Sequence, residues 1–80
     1  MPKTIFTGAN KIVVDHLREA RIAAGLTQAE LGRRIGHDQS HISLIEGSQR
    51  RIDIVEFREI ALALGRRPEE LFAEICRLLS

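Results

Sequence analysis

Aromatic residues are scarce: three phenylalanines stand among 80 residues, and tryptophan and tyrosine are absent. Single-stranded nucleic acids are bound by stacking bases on displayed aromatic rings, so RNA recognition of that kind finds no support. Cysteine occurs once, as Cys76, which rules out an internal disulfide framework and suits a reducing compartment. As a free cysteine in an apolar stretch, it is expected to be a small buried helix residue. No apolar run approaches the roughly 20 residues that span a bilayer, and the first residues have no signal-peptide pattern. A soluble, cytoplasmic chain without a membrane partner is expected. There is no glycine-rich phosphate loop and no nucleophile with an ordering base, so no catalytic residue can be named and no enzyme is expected. His37 and His41 are four apart, as zinc ligands on a helix would be, but His37 precedes a helix cap and no third ligand of matching geometry follows. Neither a metal nor a cofactor is expected.

Net charge is also small, at +1, and its distribution is more informative. Residues 1–51 carry eight Lys and Arg against five Asp and Glu, or +3, whereas residues 52–80 carry four against six, or −2. The basic half contains the stretch TQAELGRRIGHDQSHISLIE, residues 27–46, around which the chain is organised. Thr27 and Glu30 form a capping-box pattern, and Leu26 with Leu31 a hydrophobic staple, so a second helix starts here. It runs through Ile35 to Gly36, which can take the left-handed conformation after a helix end. Asp38 then caps a third helix by accepting from the amide of Ser40 or His41. Two helices joined so tightly cross at a large angle, the helix-turn-helix arrangement. Ile42 and Ile45 face inward with Leu31 and Ile35. Gln39, Ser40, Ser43 and Leu44 remain on the outer face with His41 near its edge, a set suited in size and hydrogen-bonding character to base edges in a major groove.

That segment resembles the helix-turn-helix of the Cro and phage-repressor-like (XRE-type) regulators over roughly residues 17–72. The resemblance implies an all-α, compact five-helix bundle of the lambda-repressor-like DNA-binding type, with double-stranded DNA as partner. It implies that Gln28 binds a phosphate and braces Gln39, which grips an adenine edge, and that Ser40 occupies a base-reading position. Leu44 departs from the polar or basic residue usual there, and Gly32 from the usual alanine. Arg50 and Arg51 fall in a loop that carries phosphate contacts in the family, and Arg34 or Arg33 offers another. Arg21 is expected to pair with Glu46, because the resemblance places an acidic partner there for an arginine close to the core. Ser48 stands where glycine is usual, which leaves the turn after the third helix open.

The remaining chain completes the bundle. Residues 1–10 are expected as an arm, frayed or reaching along DNA through Lys3, with Ile5 and Phe6 available to pack on the body; residues 11–80 form the domain. A first helix over 11–24 buries Val13, Leu17, Ala20 and Ala24. Asp53 caps a fourth helix with Glu56 as capping-box partner and Ile52 with Phe57 as staple. Phe57, Ile60, Ala61 and Leu64 form its core face. Pro68 opens a fifth helix. A chain this short buries only about 60 to 65% of its unfolded surface, and self-association is the expected support. Ile75, Leu78 and Leu79 are the candidate seam of a homodimer with half-sites about 34 Å apart. The expected function is repression by occupying an operator. The alternative is a protein-interaction module or DNA-binding antitoxin with a protein partner, which the exposed Leu44 favours.

Overall fold

Three side-chain caps and four left-handed residues divide the chain into helices. The computed structural model describes residues 8–80, so Lys3, Ile5 and Phe6 lie outside the described residues. Among the described residues there are five helices and no strand: α1 (Ala9–Ala23), α2 (Gln28–Arg34), α3 (Gln39–Glu46), α4 (Ile54–Ala63) and α5 (Pro68–Leu79). α1 starts two residues before the expected position, taking Ala9 and Asn10 from the arm. Thr27 accepts from the Glu30 amide while Glu30 accepts from the Thr27 amide, at 3.0 and 2.8 Å. Asp38 accepts from His41 N at 3.1 Å and from Ser40 Oγ at 2.8 Å. The bond from Ser40, then that from His41, holds the Asp38 carboxyl below its ordinary pKa. Asp53 accepts from the Glu56 amide at 2.7 Å. The Glu56 carboxylate does not return the bond, because it is engaged by His41.

Gly36 has φ +80, and the His37 amide reaches back to the Gly32 carbonyl at 2.8 Å, so the chain reverses into α3 within a few residues. The turn after α3 closes the same way on Ser48, whose φ is +59. Ser48 N bonds Ile45 O and Gln49 N bonds Leu44 O, at 3.0 and 2.9 Å. A left-handed conformation costs a non-glycine residue roughly 1–2 kcal/mol. Here the serine is buried, and its Oγ accepts from Asn10 Nδ2 of α1 at 2.6 Å, which offsets that cost. Ser48 thus takes the glycine role, and Gly47, at φ −81, does not need to.

The core gathers Val14, Leu17 and Ala20 of α1, Leu31, Ile42, Ile45, the α4 residues Phe57, Ile60 and Ala61, Leu64 at its end, and Leu71 and Ile75 of α5. α2 and α3 pack on each other; α1 lies against α3 and α5, and α4 against α5 and α2. Val14 rather than Val13 is the fully buried valine of α1, and Ala24 is exposed, because α1 ends before it. One member of the expected dimer seam is corrected: Ile75 is 1% exposed and belongs to the core, whereas Leu78 and Leu79 are exposed. Leu78 lies beside Ile12 and His16, and Leu79 beside Ile52, Ile54 and Phe72, so successive residues of α5 face different ways. Cys76, expected buried, is exposed. Among the described residues no helix is long and apolar enough to cross a membrane.

Gly32 is buried in α2, and a methyl group there would stand 2.8 Å from the carbonyl oxygens of His37 and Asp38. These are backbone atoms of the turn and cannot rotate away. Gly32→Ala gains about 1 kcal/mol of helix propensity but forces the α2–α3 turn apart, an overpacking cost of roughly 1–3 kcal/mol. The expected net result is a lower thermal midpoint in circular dichroism melts; an unchanged or higher midpoint would show that the turn yields freely.

Candidate nucleic-acid interface

The interface is built outward from a buried carboxylate. Glu46, the last residue of α3, receives Arg21 Nε at 2.7 Å and Arg21 Nη2 at 3.1 Å, a bidentate pair whose side chains are 10% and 6% exposed. Arg21 Nη1 also donates to the carbonyl of Leu26 at 2.7 Å, tying the loop before α2 to the same guanidinium. Exposed Arg18 stands 4.0 Å from Glu46 Oε1. On that oxygen Gln28 Nε2 donates at 2.9 Å, and Gln28 Oε1 in turn accepts from Gln39 Nε2 at 3.4 Å. A chain of contacts therefore runs from α1 through Glu46 and Gln28 to the first residue of α3. Its direction assigns the Gln28 amide: the nitrogen faces Glu46, and the oxygen faces Gln39.

Gln39, Ser40, Ser43 and Leu44 are exposed on α3, Leu44 to 42%. His41 is not with them. Its side chain is 12% exposed, stacks on the His37 ring at a centroid distance of 3.8 Å, and holds Glu56 Oε2 at 2.5 Å. The expected base-reading role of His41 is therefore corrected, since the imidazole is committed to α4. Arg34 is also displaced from its expected role. Its Nη1 donates to the Ala63 carbonyl at 3.1 Å, closing the last turn of α4 at the end of α2 remote from Gln28. Arg50 and Arg51 are exposed in the loop after α3.

This fold and this face can be compared with known proteins. A helix-turn-helix family model matches residues 17–71. The chain belongs to the Cro/C1-type (XRE) helix-turn-helix family. An XRE-family like protein from Pseudomonas syringae pv. tomato str. DC3000 shares 37% identity with it at a TM-score of 0.84, over 98% of this chain and 95% of that one. The restriction-modification controller protein C.AhdI from Aeromonas hydrophila is 36% identical at a TM-score of 0.73, over 79% of this chain and 96% of that one. ClgR, the clp gene regulator from Corynebacterium glutamicum, matches in fold alone, at 18% identity and a TM-score of 0.80, over 92% and 79%. No curated protein sequence matches the chain. This XRE-family member is accordingly a DNA-binding transcriptional regulator and not an enzyme.

Two features of the family member escaped the sequence reading. One is Glu56, taken for a capping residue; its signal was the His37 and His41 pair at helical spacing, which needed a partner from elsewhere. The other is an exposed apolar face between α4 and α5, with Ile54 75%, Val55 63%, Leu62 51% and Phe72 50% exposed beside the rim residues Arg58 and Arg67. The exposure of Phe72 follows from Leu71 filling the core position next to it.

Removing one member of the buried pair leaves the other charged and unpaired. Glu46→Ala should cost about 3–5 kcal/mol in denaturant unfolding, a large fraction of the stability of so small a domain. An Arg21→Met, Glu46→Leu double substitution should recover part of that loss, because two apolar side chains leave no stranded charge. Equal loss in the single and double variants would mean that geometry rather than charge burial dominates.

Proposed function

We propose that this protein is a repressor that occupies an operator as a homodimer and reads it with α3. The observation that carries the reading is the Glu46–Gln28–Gln39 chain. A glutamine with three rotatable side-chain bonds loses entropy on gripping a base, and a brace that limits its rotamers beforehand reduces that cost. With its nitrogen satisfied by Glu46 and its oxygen holding Gln39, Gln28 acts as the brace, and the Gln39 amide is presented for bidentate contact with an adenine edge. Ser40, Ser43 and Leu44 complete the reading surface, Leu44 against a thymine methyl. Arg50 and Arg51 bind backbone phosphates, which positions the protein without reading sequence.

The second copy docks on the α4–α5 face. Its exposed apolar side chains Ile54, Val55, Leu62 and Phe72 line one hollow, and contiguous exposed apolar surfaces mark association sites. The proposed seam is Ile54, Val55, Phe72 and Leu79 in place of the Ile75, Leu78 and Leu79 set expected from the sequence. A second reading, a module whose main partner is another protein, is favoured by Leu44 on the outer face. The likeness to a restriction-modification controller supports a role in controlling such genes.

Selection of bound molecules from random-sequence duplex DNA at near-physiological salt tests the proposal directly. A palindromic motif with half-sites about 34 Å apart is expected; no retention at all would favour the protein-partner reading. On the selected site, Gln39→Ala should cost about 1–3 kcal/mol and relax one base position. Equal affinity of that variant for every site would remove α3 as the reader. Arg51→Ala should weaken binding to all sequences alike and reduce the slope of log K against log salt by about one. Phe72→Glu should convert the dimer to a monomer in sedimentation equilibrium while the far-ultraviolet spectrum stays helical. Persistence of the dimer would move the seam elsewhere.

A further inference from the structure

We propose that His37, His41 and Glu56 form a binding site for a single divalent transition cation of the zinc class. Their ligand atoms lie within 4.8 Å of one another. Both imidazoles turn Nε2 toward the same oxygen, Glu56 Oε2, from 2.5 Å for His41 and 3.9 Å for His37. In a tetrahedral zinc site, bonds of about 2.0–2.1 Å space the ligand atoms about 3.3 Å apart. The two observed separations bracket that value, so small opposite displacements open the space for an ion. The rings are stacked, with an interplanar angle of 6°, and must splay for both lone pairs to converge. His37, whose side chain is 42% exposed in the turn before α3, has the room to rotate, while His41 and Glu56 are held at 12% and 10% exposure.

Charge favours an ion at this position. Glu56 is a mostly buried carboxylate, and among the described residues its ion-pair partners are these two imidazoles, with no lysine or arginine. A buried anion needs a compensating positive charge. His41 satisfies one hydrogen bond; His37 Nε2 at 3.9 Å is beyond hydrogen-bonding reach. A dication held by the two imidazoles and the carboxylate supplies that charge, and the imidazole-carboxylate set suits zinc. The exposure of His37 leaves a fourth position for water. The ligands come from the α2–α3 turn, the first turn of α3 and α4, so the ion would clamp the start of the reading helix to the body. The site stands on this geometry whether or not α3 reads DNA.

The test is zinc uptake by the full chain, stripped with chelator and then equilibrated with zinc chloride. One zinc per chain is expected, with a thermal midpoint that rises with zinc concentration. Cobalt(II) should give the visible absorption of a tetrahedral nitrogen-oxygen site. His37→Gln, at an exposed position, should keep its helical spectrum and lose more than about tenfold in zinc affinity, the loss that even outer-shell changes can produce. Glu56→Gln should weaken binding likewise. His16→Gln, a histidine bonded to Glu74 instead, should bind as the unaltered chain does. Absence of zinc uptake by the unaltered chain, or uptake undiminished in His37→Gln, would overturn the proposal.

Discussion

The carboxylate of Glu46 is the point on which the helix-turn-helix depends. It closes α3, neutralises a buried guanidinium from α1 and accepts from Gln28 at the start of α2, so three helices meet at two oxygens. Because Arg21 also holds the Leu26 carbonyl, the segment entering α2 is fixed by the same charge. Bidentate arginine-carboxylate geometry is directional as well as strong. A pair of apolar residues could fill this volume, but it could not orient an amide, and the Gln28 side chain would then lose the contact that aims its oxygen at Gln39. The ion pair therefore connects stability to the posture of Gln28 and Gln39.

A second constraint is size. Among the described residues, twelve side chains form the buried apolar core, and the five short helices leave large apolar side chains exposed. The surplus collects where α4 and α5 diverge, on Ile54, Val55, Leu62 and Phe72. The opposite side of α5 is closed by polar contacts: Glu74 takes His16 of α1 at 2.7 Å and also pairs with Arg66. Its carboxyl lies below the ordinary pKa, chiefly through the bond from His16. One side of α5 is thus sealed to α1, and among the described residues the other is left apolar and exposed, apart from the exposed polar face of α3.

Much of this was legible from the residues alone, and the reason is locality. Thr27 with Glu30, Asp38, Asp53 and Gly36 act within one turn of their own position, so helix starts and stops were visible in the string. The alternation of Ile42 and Ile45 with Gln39, Ser40, Ser43 and Leu44 likewise divides α3 into faces without reference to the rest of the chain. The Arg21 and Glu46 pair spans 25 residues and came from the family resemblance, since nothing local specifies it.

The sequence by itself determined the five helices, the tight α2–α3 turn and the residues displayed on α3, because capping, left-handed turns and helical periodicity are short-range physics. The tertiary structure decided which side chains meet across helices. It turned His41 and Glu56 toward each other, buried Ile75 while leaving Phe72 exposed, carried Arg34 to the end of α4, and let Ser48 serve in a left-handed turn by giving it Asn10 as a partner. Each of those outcomes depends on the angle and register at which two helices pack, set by the whole core at once and written in no single stretch of the chain.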